Sequence, residues 1–172
     1  MIDRSRGSPA LLKFFTETFE GTLVSDFWGA YNSVHCSQRQ TCLVHLLRDL
    51  EKVEQYGRTD NDWPAFAKKL RRLLRDAMRL WKREGVPPDD YTSRRHRLHQ
   101  RLAELIDTDW QHTDARRLIK RLRRHQNDLL PFLDHPGVPF DNNHAERAIR
   151  PAVIMRKTSY TNRSDRGADT QA

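Results

Sequence analysis

The sequence predicts a mixed α/β chain that is mostly helical, with a small strand-containing part interrupted by a long helical segment. From about Asn61 to Leu133, apolar residues recur at spacings of three and four, as on the buried faces of amphipathic helices. Two short stretches, one ending at Asp26 and one beginning at Gln40, indicate strands instead. With 172 residues, 37% of them hydrophobic and 31% charged, the chain can bury a substantial core.

The two predicted strands lie in the first third of the chain. In Leu23–Asn32, a short apolar strand ends at Asp26 and is followed by a turn that contains aromatic residues and a glycine. An acid in this position projects from the edge of a sheet. In Gln40–Leu50, a strand-like stretch passes into a helix. The leucines of that helix that share one face are Leu43, Leu46, Leu47 and Leu50.

Three helices are predicted in the middle of the chain. The first begins near Asn61 and ends at Gly85–Pro88, the second runs from about Ser93 to Ile106, and the third runs from about Thr113 to Leu133. Thr113 or Asp114 can cap the third helix. Because the loops between them are short, the helices are expected to form an antiparallel helical insertion.

The segment Asp141–Pro151 sets one carboxylate among basic side chains on a short helix. Glu146 and Arg150 lie four positions apart and therefore share a helix face, with Arg147 beside them. The final proline argues against further helix. Two interpretations are open at this point, because Glu146 could hold a metal ion, or it could form a capping box with Asn143.

Taken in order, these segments resemble the insertion sequence 66 family of DDE transposases. The resemblance covers nearly the whole chain and is strongest over residues 21–50 and 138–168. It rests on Leu23–Asn32, on Gln40–Leu50 and on the block Asn142–Pro151. It implies a partial ribonuclease-H-like core in which carboxylates bind two divalent metal ions, Mg²⁺ or Mn²⁺, and drive DNA strand cleavage and strand transfer.

The resemblance assigns catalytic and metal-binding roles to two acids. Asp26 matches the family's second catalytic acid and Glu146 matches the third, whereas the first has no match, because Asp3 lies too close to Asp26. We therefore expect a transposase piece that is truncated at both ends and that has weak or no catalytic activity alone. The expected division is a partial core, a helical insertion and a return to the core, over residues 1–60, 61–135 and 136–172.

Histidine and cysteine residues near the second strand suggest two further interpretations. His35, Cys36, Cys42 and His45 could bind zinc, although their spacing does not fit the usual finger pattern, and Cys42 could instead be a small buried residue. The resemblance places Cys42 and His45 on a Cys-x-x-His motif beside the active site. There, His45 would contact substrate phosphate or orient a carboxylate; the alternative is a helix-face histidine with a satisfied hydrogen bond.

The positive charge favours DNA as a partner. The formal net charge is +8 and the isoelectric point is about 9.9, and Lys or Arg side chains that neutralise phosphates release bound counterions. The residues predicted to contact DNA are Arg147, Arg150, Arg156, Lys157, Trp28 and Tyr31. The basic faces of the three middle helices are also predicted to contact the DNA backbone, largely without regard to sequence. The alternatives are aromatic packing for Trp28 and Tyr31, and a solvated surface for the basic residues and for the basic faces of the three helices.

The main functional hypothesis is therefore a DNA transposase fragment acting on transposon ends and target DNA. The alternatives are a non-catalytic, DNA-binding basic helical protein and a helical interaction protein whose acids are only caps. The chain could form a homo-oligomer or associate with a full-length transposase. No apolar run is long enough to span a membrane and no signal peptide is evident, so we expect a cytoplasmic location.

Overall fold

The computed structural model describes residues 7–13, 15 and 18–158. The expectation of a mostly helical chain is confirmed, because 65% of the described residues are helical and the described strands form only a small parallel sheet. In chain order, the α-helices and strands of the described residues are α1 (Ser8–Leu12), β1 (Phe19–Ser25), β2 (Cys36–Thr41), α2 (Leu43–Tyr56), α3 (Trp63–Lys82), α4 (Pro88–Asp107), α5 (Thr113–Arg124) and α6 (Asn143–Thr158).

The parallel pairing of β1 with β2 brings two strand ends to the same edge. In the register of the pair, Ser25 lies opposite Thr41. Asp26 and Cys42 therefore leave the sheet side by side, and the Cys42 N–H donates a hydrogen bond of 2.8 Å to the Ser25 carbonyl. The predicted strand before Asp26 is confirmed, as is the passage from strand to helix around Cys42.

A short connection joins the two strands. It contains a 3₁₀ turn at Gly29–Ser33 and returns directly to the start of β2. The Arg39 guanidinium of β2 donates to the carbonyl oxygens of Tyr31 and Val34, at 2.7 and 2.9 Å. These bonds fasten the turn to the strand that follows it.

Helices α2 to α5 bury their apolar faces against one another in one continuous core, which extends to Phe140. Of the predicted α2 face, Leu43, Leu46 and Leu50 are buried, and Leu47 is half-buried. Burying such a side chain contributes roughly 1.5–3 kcal/mol. The largest fully buried side chains are Trp63, Phe66, Phe132, Leu43, Leu46, Leu50, Leu70, Leu73, Leu118, Leu122, Leu129 and Leu130.

The Gln40 side chain joins the sheet to the end of the helical region. It is fully buried, and its amide nitrogen donates to the carbonyl oxygens of Thr41 and Leu129, at 2.7 and 3.1 Å. Its amide oxygen accepts from the Phe132 N–H at 3.0 Å. Thr41 adds a hydroxyl bond of 3.0 Å to the Asp128 carbonyl. The polar strand β2 is therefore held by specific hydrogen bonds rather than by apolar packing alone.

Two of the three middle helices differ in extent from the prediction. α4 begins at Pro88 rather than near Ser93, because proline fits the first position of a helix, where an N–H is not needed. α5 ends at Arg124, and the chain continues in 3₁₀ turns at Gln126–Asp128 and Pro131–Leu133. The apolar pattern continues at the buried residues Leu129, Leu130 and Phe132, although the chain is not α-helical there.

The predicted cap of α5 is wrong, because neither Thr113 nor Asp114 caps this helix. The His112 side chain does so, accepting a 3.2 Å hydrogen bond from the Asp114 N–H. The Asp62 carboxylate, which precedes α3, accepts bonds from the N–H groups of Gln111 (2.7 Å) and His112 (2.9 Å). The hydrogen bond from Gln111, followed by that from His112, holds the pKa of Asp62 below its usual value.

The expected helix stop at Pro151 is also wrong, because α6 continues through this residue to Thr158. A proline inside a helix removes the hydrogen bond to the carbonyl four residues earlier, here that of Arg147. Both residues are exposed, so water can supply the missing donor. The helix that carries Glu146 is therefore longer than the motif predicts.

Among the described residues, no helix combines the length and the apolar character needed to cross a bilayer.

Replacing Gln40 with leucine should destabilise the fold strongly. The variant keeps a similar volume but leaves the buried Leu129 carbonyl and the Phe132 N–H without partners, at about 1–3 kcal/mol each. Urea unfolding should show a loss of about 2–6 kcal/mol. Gln55→Leu, the same change at an exposed position on α2, should have little effect, and equal losses in the two variants would contradict this role of Gln40.

Asp62→Asn should lower the thermal stability at neutral pH and weaken its dependence on pH. Because the pKa of Asp62 is lowered in the folded state, its stabilising contribution is present above the unfolded pKa of about 3.9 and is lost as the pH falls through the folded value. The Tm difference between wild type and variant should therefore shrink toward low pH. Asp107→Asn, at an exposed acid, should leave the pH profile unchanged.

Candidate functional site

Asp26 lies at the start of the turn that leaves β1. Its carboxylate accepts a 2.9 Å hydrogen bond from the Trp28 N–H, which closes a tight local turn. Trp28 packs edge-on against Tyr31, with ring centroids 5.3 Å apart, and is 43% exposed. Burial, followed by the negative charge of Asp26, raises the pKa of Tyr31. The predicted acid and both predicted aromatic side chains thus share one turn.

The residue after Asp26 anchors this turn to the end of α5. The Phe27 ring lies edge-on to His125 at 5.4 Å, and the Arg121 guanidinium lies over the same ring at 5.2 Å. Arg121 also pairs with Asp49 of α2. One arginine of α5 therefore contacts both the segment that bears Asp26 and the helix that follows β2.

Glu146 lies on the first turn of α6, against the first turns of α2. The Leu43 N–H donates to the Phe140 carbonyl at 2.9 Å, which fixes the start of α2 beside the segment leading to α6. The Glu146 oxygens lie 3.5 Å from His45 Nε2 and 3.6 Å from a guanidinium nitrogen of Arg48. Folding thus brings the predicted site residues His45 and Glu146 together from distant parts of the chain.

The capping-box interpretation does not describe the start of α6. Asn143 lies within the helix rather than before it, and its N–H bonds to the Asp141 carboxylate at 3.1 Å. The Glu146 N–H bonds to the Asn142 carbonyl at 3.0 Å, as in regular helix. The Glu146 carboxylate is left to interact with α2.

Two buried polar atoms around Glu146 have no hydrogen-bond partner within the described part of the chain. They are Nδ1 of His45 and the side-chain oxygen of Asn142. Buried polar atoms are normally paired, and exceptions are often found at functional positions. His45 therefore has one ring nitrogen near Glu146 and one ring nitrogen with unmet bonding capacity.

A basic groove opens beside Glu146, with a volume of about 420 Å³. Its charged lining residues are Glu146, Arg48, Arg147 and Arg150, so three guanidinium groups surround one carboxylate. Sequence reasoning did not single out Arg48, although it lies three positions after His45 and so on the same helix face. Lys157 is exposed further along α6, and the side chain of Arg156 lies outside the described residues.

Asp26 lies at the end of β1 beside Cys42, and Glu146 contacts the first turns of the helix that follows Cys42. Cys42 bonds to the residue before Asp26 and lies three positions before His45, which contacts Glu146. Within residues 7–13, 15 and 18–158, no group of three or more His, Cys, Asp or Glu side chains is arranged to hold a metal ion.

Cysteine placement does not support the zinc interpretation. Cys36 and Cys42 lie at opposite ends of β2, which spans roughly 20 Å at the usual strand rise. Cys42 is buried, and burial raises the pKa of its thiol. A high thiol pKa disfavours the thiolate that zinc requires.

Several arginines on the middle helices have acidic partners, so part of the positive charge of these helices is paired within the chain. The pairs are Arg71 with Glu54, Arg94 with Asp90, Arg95 with Asp134, Arg101 with Asp76, Arg117 with Asp114 and Arg121 with Asp49.

The family model described as "Transposase IS66 family" matches residues 1–170, nearly the whole chain. No curated protein and no solved structure matches the chain.

Cys42 should react with iodoacetamide at least about tenfold more slowly than Cys36 in the folded protein, because burial restricts both access and thiolate formation. Peptide mass spectrometry after timed alkylation measures both rates. In denaturant the two thiols should react alike. Protection of both thiols by added zinc would restore the zinc interpretation.

Proposed function

Because the chain belongs to the IS66 family of transposases, we propose that Asp26 and Glu146 are two of the carboxylates of a metal-dependent site for DNA cleavage and strand transfer. Both acids have counterparts among the catalytic acids of the family that the chain resembles. The family implies DNA as the substrate.

The observation that carries this proposal is the placement of Glu146. The Glu146 carboxylate of α6 contacts His45 and Arg48 of α2. The α2 helix begins next to the end of β1, where Asp26 lies. A glutamate that only capped the start of α6 would not need contacts with a second helix. The contacts hold a carboxylate beside a groove lined by three arginines, which suits a site that acts on a polyanion.

The donor set fits a hard divalent cation. Asp26 and Glu146 offer carboxylate oxygens, the ligands preferred by Mg²⁺ and tolerated by Mn²⁺. When bound, such ions activate the attacking oxygen and stabilise the leaving oxygen of a phosphodiester. Two carboxylates supply few ligands for a pair of ions, so we expect the chain by itself to be a poor catalyst.

The residues around Glu146 take positioning and binding roles in this proposal. His45 and Arg48 orient the Glu146 carboxylate, and neither needs to contact the reacting atoms. Arg147 and Arg150 are exposed in the groove and are suited to bidentate contact with phosphate oxygens. Arg156 and Lys157 would continue these contacts along the α6 chain segment.

The aromatic pair beside Asp26 is proposed to receive an unpaired base. Trp28 is partly exposed and Tyr31 supports it edge-on, so the pair could form a stacking surface next to a carboxylate. The packing of Trp28 on Tyr31 also suits a purely structural role, which stays the alternative.

We propose that the sheet and α2 represent part of a ribonuclease-H-like core. The parallel strands, with an acid at the end of β1, agree with such a core. The remaining α3–α5 region would be the helical insertion within residues 61–135, before the return at 136–172.

A second candidate function is a non-catalytic, DNA-binding basic helical protein. It is favoured by the absence of a three-residue metal cluster among the described residues, together with the excess of positive charge. The two candidates differ in whether Asp26 and Glu146 bind a divalent ion.

Manganese binding tests the main proposal without requiring turnover. Electron paramagnetic resonance of free Mn²⁺ should show binding by the wild type, and Glu146→Gln and Asp26→Asn should each weaken the affinity at least about tenfold, or roughly 1.4 kcal/mol. Glu51→Gln, at an exposed acid on α2, serves as the matched control. If both site variants bind Mn²⁺ as tightly as the wild type, the metal site is refuted and the second candidate is favoured.

A further inference from the structure

A second groove between α3 and α4 is lined by more arginines than acids. It has a volume of about 400 Å³ and shares no lining residue with the groove at Glu146. Its floor is formed by Leu80 and Leu98, both nearly completely buried. The charged side chains that line it are Arg79, Arg83, Arg94, Arg97, Arg101, Asp76 and Asp90.

The two aspartates orient part of this cluster without neutralising it. Asp90 binds the Arg94 guanidinium through two contacts, at 3.0 and 2.7 Å. Asp76 lies 2.9 Å from Arg101 and 3.7 Å from Arg79, so one carboxylate serves several guanidinium groups. Each guanidinium has five N–H donors, and these contacts leave some of them for another acceptor.

The remaining two arginines of the groove are not paired with either aspartate. Arg83 and Arg97 are exposed, and in the described part of the chain neither lies within ion-pair distance of an acid. Five arginines against two aspartates leave an excess of positive charge on a fixed, helical framework. A cavity of this kind attracts an anion that accepts bonds from several directions.

From this arrangement we propose that the arginine groove between α3 and α4 binds the phosphate backbone of duplex DNA. The proposal rests on the function proposed above and adds a contact on the helical region, separate from Glu146.

The geometry and the charge of the arginine groove both favour the DNA phosphate backbone as its ligand. The side chains from Arg94 to Arg101 extend over about 10 Å of helix, which is long enough to reach neighbouring phosphates of one DNA strand. Arginine binds phosphate through paired N–H donors, and such contacts position DNA without reading its sequence. The groove should therefore show little preference between duplex sequences.

Fluorescence anisotropy with a labelled 30-base-pair duplex tests this groove in buffer that contains EDTA, so that the result does not depend on metal binding. The double variant Arg83→Gln/Arg97→Gln should weaken binding by roughly tenfold at low salt and make the slope of log K against log salt shallower by about two. Both residues are exposed, and circular dichroism should confirm an unchanged fold.

A control variant with the same change in charge separates the groove from net charge. Arg75→Gln/Arg124→Gln alters exposed arginines outside the groove and should leave the affinity within about threefold of the wild type, because it removes no groove contact. Equal losses in the two double variants would overturn the proposal in favour of diffuse binding. Displacement of the duplex by inorganic phosphate at constant ionic strength would overturn it in favour of a small-anion site.

Discussion

One buried amide fixes the relation between the sheet and the helices. The Gln40 side chain satisfies a carbonyl and an N–H from the 3₁₀ region after α5, across 89 and 92 positions of chain. A polar strand such as β2 has little apolar surface to bury, so its placement depends on these bonds. The same region leads to Phe140, whose carbonyl receives the Leu43 N–H at the start of α2. The position of α6 thus follows from contacts made before it begins.

The residues of the candidate site come from separate elements, so their relative positions depend on the contacts between the sheet and the helices. Asp26 follows the last residue of β1, and Glu146 lies on the first turn of α6. His45 and Arg48, which contact Glu146, lie on the first turns of α2. Arg121 joins two of these parts, because it contacts both Phe27 and Asp49. A substitution at Arg121 would therefore disturb the site although the residue lies on a middle helix.

Sequence patterns predicted which helices and strands form better than they predicted the residues at which these begin and end. The spacing of Leu43, Leu46 and Leu50 indicated the buried face of α2, because helical periodicity survives in any packing. The early start of β2 was missed because it depends on pairing with β1, and the early end of α5 was missed because the apolar pattern continues beyond Arg124. The long α6 was missed because its exposed surface lets water replace the bond lost at Pro151.

At the candidate site, sequence alone could nominate charged residues but could not pair them. Glu146 and His45 were singled out separately, and only the folded chain shows that they meet. Arg48 went unnoticed because an arginine on a helix is ordinary until its partner is known. The groove between α3 and α4 was likewise hidden within a general excess of basic residues, several of which pair with neighbouring acids.

The short link between the parallel strands has little slack. Parallel neighbours usually need a crossover of a dozen or more residues, whereas here about ten must travel back along the whole length of β2, roughly 20 Å. The Arg39 side chain donates hydrogen bonds to two carbonyl oxygens of that link, those of Tyr31 and Val34. Trp28 and Tyr31 therefore move with the sheet as one stiff body, and length changes in this link would be far less tolerated than in a surface loop.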